Sequence, residues 1–413
     1  MPTESSDTAS LHALAATHLV SIYRPRNIVL DHGHGARVWD RDGRDYVDFG
    51  AGIAVNSLGH AHPALIAALT AQATRLWHTS NVFVSEPPLR LAQALVEVAQ
   101  FAQRVYLCNS GTEANEAAIK LARRWASDLG REASRRVILT FTGSFHGRTL
   151  AAVTATAQPK YHEGFEPLPG GFRYAAFNDV DAARDAMAGG DVCAVLVEPV
   201  QGEGGVTPAT GAFLHELRAL CDAHEALLML DEIQCGMART GTLFAYQGVG
   251  ITPDVVTLAK ALGGGFPIGA MLVGKRAADT LQFGHHGTTF GGNPLASAVA
   301  LAALGELASP ALQANVHRQS LRLNAALQTV NRTTALFAEI RGRGLMIGAQ
   351  LAPEYAGQAA AMVDACVEHG LLLLQAGPDV LRFVPPLNIT DDELDDGLAR
   401  FSRALEAWGA RRR

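Results

Sequence analysis

Two hydrophobic rhythms alternate along most of the chain. In some stretches apolar residues recur every three or four positions, and in others they run unbroken in short blocks. The first spacing lines one face of a helix; the second suits strands covered on both faces. "HPALIAALTAQATRL" (62–76) and "EPPLRLAQALVEVAQ" (86–100) predict helices. "RVYLCN" (104–109) predicts a strand, and "EANEAAIKLARRWASD" (113–128) the helix after it. Further strands are expected at "RRVILTF" (135–141), "CAVLVEP" (193–199), "ALLMLDE" (226–232) and "DVVTLA" (254–259), with the helix "AFLHELRALCDAH" (212–224) between the second and third of these. Strand–helix alternation of this kind argues for a largely parallel sheet covered by helices.

The two ends differ. Residues 11–24 predict a helix, and "ARVWDRDGRDYVDF" (36–49) predicts a hairpin around an Asp-Gly turn. Towards the C-terminus, "FGGNPLASAVALAALGELA" (290–308) and residues 311–330 are helical, and "AEIRGRGLMIGAQL" (338–351) reads as a glycine-containing strand. A helix at 357–369, strands at 371–374 and 380–384, and a final helix at 391–408 complete the pattern. The expected division is an N-terminal segment (1–61) packing with a small domain, a large α/β domain (62–300), and a smaller α+β domain (301–413). No Pro-, Ser- or Gly-rich linker marks the last boundary, so a long helix near 295–315 is expected there.

Composition narrows the class. The chain has 413 residues, long enough for two or three domains and a sizeable core. With 34 Lys+Arg against 40 Asp+Glu, no overall basic field favours nucleic acid, although a pocket can still be locally basic. The five cysteines are scattered and form no CxxC pair, which suits free thiols in a reducing compartment. "MPTESSDTAS" lacks the basic-then-apolar layout of a signal peptide, and runs such as "LLLL" (371–374) are too short to span a bilayer. A cytoplasmic protein is expected.

Candidate chemistry gathers at the ends of the predicted strands. "LCNSGTEANEAAIKLAR" (107–123) is a strand, a small-residue turn at Ser110, Gly111 and Thr112, then a helix. A helix N-terminus with small residues can bind an anion, and Thr112, Asn115 and Glu116 would equally serve as an ordinary helix start. There is no Gly-Lys-Ser/Thr for a P-loop, and "GRGLMIG" (342–348) has the wrong glycine spacing for a dinucleotide fingerprint. Asp231 and Glu232 end an apolar strand, where α/β sheets bind ligands. A carboxylate there suits a metal, a ribose hydroxyl or a heterocycle nitrogen. No metal is expected: there is no HExxH, and the histidines of "HGHG" (32–35) and "HHG" (285–287) read as loop residues. Lys260 lies one strand–helix–strand unit after Asp231, at the end of an otherwise apolar strand. A buried amine is a nucleophile for carbonyls, and the bland alternative is a salt-bridged structural lysine. An anion-binding turn, a strand-end Asp and a strand-end Lys are together the parts that a pyridoxal phosphate site requires.

At this point the chain resembles the class III aminotransferases of pyridoxal-phosphate fold type I, in particular the acetylornithine and succinylornithine subgroup. "NSGTEANEAAIKLAR", "SFHGRT", "VEPVQGEGGV", "LDEIQCGMARTG", "LAKALGGGFPIGAM" and "HGTTFGGNPLA" carry the resemblance, which covers nearly the whole chain. It implies pyridoxal 5'-phosphate as cofactor, linked to Lys260 as a Schiff base. Asp231 would pair with the ring nitrogen, Gln234 with the phenolic oxygen, and Phe145 would stack on the ring, with Glu232 beside them. Gly111 and Thr112 would hold the phosphate from one subunit and Thr289 from the other, making a homodimer with shared sites. Thr288 would lie near substrate across the interface. Arg148 would bind the α-carboxylate of an acylated ornithine, and Arg382 a carboxylate of 2-oxoglutarate, with Glu203 pairing Arg382 in its absence. The family usually has Gly where this chain has Ala238, and ornithine-type enzymes have a tyrosine where it has Ile53. The implied reaction moves the terminal amino group of N2-acetylornithine to 2-oxoglutarate. Succinylornithine, N-succinyldiaminopimelate and 4-aminobutyrate are alternative donors, and a non-catalytic nucleotide-binding protein is the alternative from another class.

Overall fold

A computed structural model describes residues 8–411. The strands, in chain order, are β1 Leu30–His34, β2 Arg37–Asp40, β3 Asp45–Asp48, β4 Ala102–Cys108, β5 Val137–Phe141, β6 Phe172–Ala175, β7 Val192–Val197, β8 Val200–Gln201, β9 Thr207–Pro208, β10 Leu227–Asp231, β11 Val255–Leu258, β12 Gly269–Gly274, β13 Phe337–Arg343, β14 Met346–Leu351, β15 Leu371–Leu372, β16 Leu374–Gln375 and β17 Val380–Phe383.

Seven of them form the central sheet, in the order β4-β12-β11-β10-β7-β5-β6. β12 runs antiparallel to both its neighbours, and the other six strands are mutually parallel. Every residue of β7 and β10 is buried, because helices cover both faces. Helix Gly111–Asp128 presents Ala118, Ile119, Ala122 and Ala126 to the sheet, and helix Gly211–Ala223 presents Phe213, Leu214 and Leu217. Each fully buried leucine, isoleucine or phenylalanine among them contributes about 1.5–3 kcal/mol, and each alanine methyl less.

A second sheet, β1-β2-β3-β15, joins the N-terminal hairpin to a strand more than 300 residues later. A third, β13-β14-β17-β16, is antiparallel. Helices Pro310–Thr334, Ala359–Glu368 and Asp391–Ala410 accompany these smaller sheets. The fold is therefore α/β, with a large, mostly parallel sheet and smaller sheets beside it.

Several expectations are corrected. The N-terminal helix spans Thr8–His18 and stops well before residue 24; Pro25 accounts only for the loss of helix at Arg24, whose backbone its ring restricts. "HGHG" is not a loop: His32 and His34 lie in β1, paired with β2. The boundary helix is two helices, Pro294–Leu307 and Pro310–Thr334, bent by 64° at a Ser309 cap and Pro310. "AEIRGRGLMIGAQL" is a hairpin of β13 and β14, not one strand, turning at Gly344. Residues 371–374 divide between two sheets, β15 pairing with β3 and β16 with β17. The helix expected from residue 113 begins at Gly111, capped by Ser110 and not by Thr112, and Ser110 accepts from the Glu113 amide. Among the described residues no single helix is long and apolar enough to cross a membrane. The polar stretch Met1–Asp7 lies outside them.

Candidate active site

The central sheet delivers its functional residues to one edge. The parallel strands end there: β4 leads into Asn109–Thr112, β5 into Phe145–Arg148, β7 into Glu198, β10 into Asp231–Gln234, and β11 into Ala259–Lys260. β12 runs the other way, so the segment before it, Gly265–Ile268, reaches the same edge. These segments enclose a cavity of about 410 Å³. Ligands bind in α/β sheets at this edge because the loops diverge there.

Lys260 lines this cavity, mostly withdrawn from solvent, with a left-handed backbone, φ 45°. A lysine in that region is strained and persists only where its surroundings impose it. Burial lowers its amine to about 8, against a raising contribution from Glu203. The glycines that follow make room: a side chain on Gly264 (φ +56°) would meet Leu65 at 2.5 Å.

Asp231 is almost fully buried, and its hydrogen-bond partners orient it. Its Oδ2 accepts from Asn115 Nδ2 at 2.8 Å and faces His146 Nδ1 at 2.8 Å. Its Oδ1 accepts from the Ile233 amide at 3.1 Å. Asn115 is held in turn by Thr257, whose hydroxyl donates to Asn115 Oδ1 at 2.8 Å, and by the His146 carbonyl, which accepts from Asn115 Nδ2 at 2.7 Å. The other ring nitrogen of His146, Nε2, is buried without a partner among the described residues. Glu198 accepts from the Phe145 amide at 2.9 Å and the Gly202 amide at 3.1 Å, and burial raises it to about 7.

At the far wall, helix Gly111–Asp128 points its N-terminus into the cavity. Its first N–H groups have no partner within the helix, which favours an anion. A Cβ on Gly111 would lie 2.8 Å from the Ile233 side chain, so only glycine fits. The Thr112 hydroxyl bonds the Thr149 hydroxyl at 2.9 Å.

Two arginines differ in state. Arg148 lines the cavity, lies over the Tyr161 ring at 4.2 Å and the Phe145 ring at 5.5 Å, and has no carboxylate partner among the described residues. Arg382, buried on β17, donates to Glu203, to Gln234 Oε1 at 3.2 Å and to the Gly202 carbonyl at 3.4 Å. Burial acts to raise Glu203, but Arg382 outweighs it and holds the carboxyl below its ordinary value.

Not every expected residue comes here. Glu232 is turned away from the cavity: its carboxylate accepts from the Ala245 amide at 2.6 Å and the Tyr246 amide at 2.8 Å, capping a short helix. Thr288 Oγ1 accepts from Asn109 Nδ2 at 3.3 Å and from the Gly291 amide at 3.1 Å, while Thr289 is exposed, and neither lines the cavity. No cluster of His, Cys, Asp and Glu suited to a metal occurs among the described residues. His146 and Glu198 were not singled out in the sequence, and Asn115 only as a helix-start residue. For Asn115 the signal was present, a polar residue on the apolar face that carries Ala118, Ile119 and Ala122.

A partly buried lysine, a buried aspartate fixed by a histidine and an asparagine, and an anion-ready helix end share one cavity at the edge of a parallel sheet. That combination defines a pyridoxal-phosphate-dependent enzyme of fold type I. The helix N-terminus at Gly111, the buried Asp231 and a cavity-lining lysine without a hydrogen-bond partner among the described residues fit this group. Residues 21–405 match the family model for class-III aminotransferases, and the chain belongs to that family. It is 66% identical over 404 residues to an acetylornithine aminotransferase of Xanthomonas axonopodis pv. citri, covering 98% of this chain and 99% of the relative. It is 50% identical over 393 residues to a succinylornithine transaminase of Yersinia enterocolitica, covering 94% of each. The structure of an N-acetylornithine aminotransferase from Stenotrophomonas maltophilia superposes with a TM-score of 0.86 at 55% identity, covering 96% of this chain and 99% of the other. The protein is a pyridoxal-phosphate-dependent aminotransferase acting on small molecules.

Proposed function

We propose that the enzyme transfers the terminal amino group of N2-acetyl-L-ornithine to 2-oxoglutarate, giving N-acetyl-L-glutamate 5-semialdehyde and L-glutamate, as a step of arginine metabolism. The contrast between the two arginines carries this reading. Arg148 is free to receive a carboxylate, whereas Arg382 is occupied by Glu203 until a carboxylate displaces it. One site can thus admit, in turn, a donor with one carboxylate and an acceptor with two. The 66% identical relative named for acetylornithine supports the same donor. The 50% identical relative named for succinylornithine keeps that compound as the second reading.

When bound, pyridoxal phosphate supplies an aldehyde that takes up the amine and a ring that withdraws electrons. The N-terminus at Gly111 and Thr112 would hold its phosphate, Asp231 its ring nitrogen, Phe145 its ring face and Gln234 its phenolic oxygen. His146 and Asn115 keep the Asp231 carboxylate aimed and hydrogen-bonded, which favours its ionised form. Lys260 would hold the group covalently, and its free amine would serve as base and acid at the substrate carbon. An amine near 8 suits both roles at neutral pH.

The chain would act as a homodimer with Thr289 and Thr288 completing the site of a second copy. Trp77, Val82, Phe83, Val84, Phe283 and Phe290 are largely exposed here. They adjoin the threonines, since Asn81 Nδ2 donates to the Thr288 and Gly291 carbonyls and His78 packs on Phe290. A cytoplasmic location agrees with five buried, unpaired cysteines. Residues 1–61, 62–300 and 301–413 form the divisions we adopt, with β3–β15 pairing supporting the link between first and last.

The test compares kcat/KM for acetylornithine, succinylornithine, ornithine and 4-aminobutyrate with 2-oxoglutarate. Acetylornithine is expected to lead, and ornithine or 4-aminobutyrate ahead of both acylated donors would overturn the reading. Lys260→Ala should still bind cofactor and lose turnover.

A further inference from the structure

Arg239 has no part in this chemistry, yet its side chain is completely buried. Among the described residues its hydrogen bonds go only to neutral oxygens. Nη1 donates to the Leu345 carbonyl at 3.0 Å and the Pro385 carbonyl at 2.5 Å, and Nη2 donates to Ser57 Oγ at 3.0 Å. Nε has no partner. Burial pushes the guanidinium down to about 9, a sign of how costly the charge is there. A buried cation without a counter-charge needs a structural return.

That return lies in what the three acceptors belong to. Leu345 precedes β14 and Pro385 follows β17, and the two strands pair with Ile347 opposite Phe383 and Gly348 opposite Arg382. Arg239 therefore grips both strands at one end, three residues from Arg382. The grip is reciprocal, since the Leu345 amide donates to the Arg239 carbonyl at 3.0 Å. Ser57 ties in the N-terminal segment, and its carbonyl accepts from the Leu387 amide at 2.7 Å. Five residues before Arg239, the same loop carries Gln234, which touches Arg382 itself. The loop between them is strained into this course: Met237 and Ala238 are both left-handed, with φ 53° and 68°.

We propose that Arg239 is a positioning residue for the acceptor half of the reaction: it pins the end of the β14–β17 pair to the loop carrying Gln234 and so fixes Arg382 relative to Glu203. This rests on the reading of Arg382 as the acceptor's carboxylate ligand. A two-point contact between guanidinium and carboxylate tolerates little displacement. When the Arg382–Glu203 pair opens, the strand beneath it must stay in place. The donor's carboxylate would meet Arg148, which follows β5 and shares no hydrogen-bond partner with Arg239 among the described residues. Loss of Arg239 should therefore separate the two half-reactions.

The holoenzyme and its variants Arg239→Lys, Arg239→Met, Ser57→Ala and Arg382→Lys would be followed spectroscopically in each half-reaction. For Arg239→Met the KM for 2-oxoglutarate should rise about 10- to 100-fold, as for a misplaced clamp, with the acetylornithine half-reaction within about 3-fold of wild type. Arg239→Lys and Ser57→Ala should show the same asymmetry with smaller size. Equal loss in both half-reactions, or an unchanged KM for 2-oxoglutarate, would overturn the proposal. If Arg239→Met fails to fold, the lysine and Ser57 variants decide by the same criterion. An unchanged KM in Arg382→Lys would show that the reading of Arg382 failed, and the proposal would fall with it.

Discussion

A charged ammonium at Lys260 would lose its hydration on burial, so the folded protein favours the neutral amine. The direction of the pH effect follows. The folded value, about 8, lies below the ordinary 10.5, so between them the unfolded chain holds a proton that the folded one has shed. Stability therefore rises with pH across that window, and the penalty is complete below about 8. In cofactor-free protein, the unfolding free energy of wild type relative to Lys260→Met should increase by roughly 3 kcal/mol from pH 8 to 10.5. A flat difference in urea titrations would contradict the burial argument. A small acylating reagent should modify Lys260 half-maximally near pH 8 in the same protein. At the wall of the cavity, Arg148 is held by aromatic faces alone. Arg148→Ala removes a two-point contact of about 2 kcal/mol, which should raise KM for acetylornithine roughly 30-fold and that for 2-oxoglutarate far less, because Arg382 still holds one of its two carboxylates. The opposite pattern in initial-rate data would exchange the roles of the two arginines.

Among the elements, the turn Ala51–Ala54 is the most constrained. Ala51, Gly52, Ile53 and Ala54 all have positive φ, between 44° and 64°, forming a left-handed turn. Each non-glycine residue there costs about 1–2 kcal/mol. Asp48 offsets this: its Oδ1 accepts from the Gly50 and Ala51 amides at 2.9 and 2.8 Å, and its Oδ2 pairs with His60 Nε2 at 2.8 Å. Val55, next in the chain, lines the cavity. Asp48→Ala should therefore destabilise by about 3 kcal/mol, the loss of two amide bonds to a charged acceptor, and also raise the KM values as the wall shifts. Denaturant unfolding with parallel kinetics checks both. At Ala238 the departure from glycine leaves a side chain in a left-handed backbone, φ 68°. Ala238→Gly should raise the denaturation midpoint, gaining up to about 1 kcal/mol, with kcat unchanged.

At the scale of the molecule, the apolar side chains around 77–84 and 283–290 are left outside the core of one chain. If a second copy covers them, light scattering should give twice the chain mass. The double variant Phe83→Glu, Val84→Glu should give monomers with activity reduced at least tenfold, because each site would lack its Thr289. An active monomer would refute shared sites. The large sheet was legible in the sequence because strands covered on both faces carry unbroken apolar runs, and Asp231 and Lys260 stood out as charges at the ends of such runs. Those are local properties, set by the period of the backbone. What only the tertiary structure decided depends on residues far apart in the chain. β12 slots antiparallel between β4 and β11, residues 371–375 divide between two sheets, and His146 and Asn115 converge on Asp231. Neighbours such as Asp231 and Glu232 part company for a related reason, since successive residues along a strand face opposite sides and only packing reveals which side holds the cavity. Local periodicity names the element a residue belongs to; the closure of long loops around a shared core decides which residues meet.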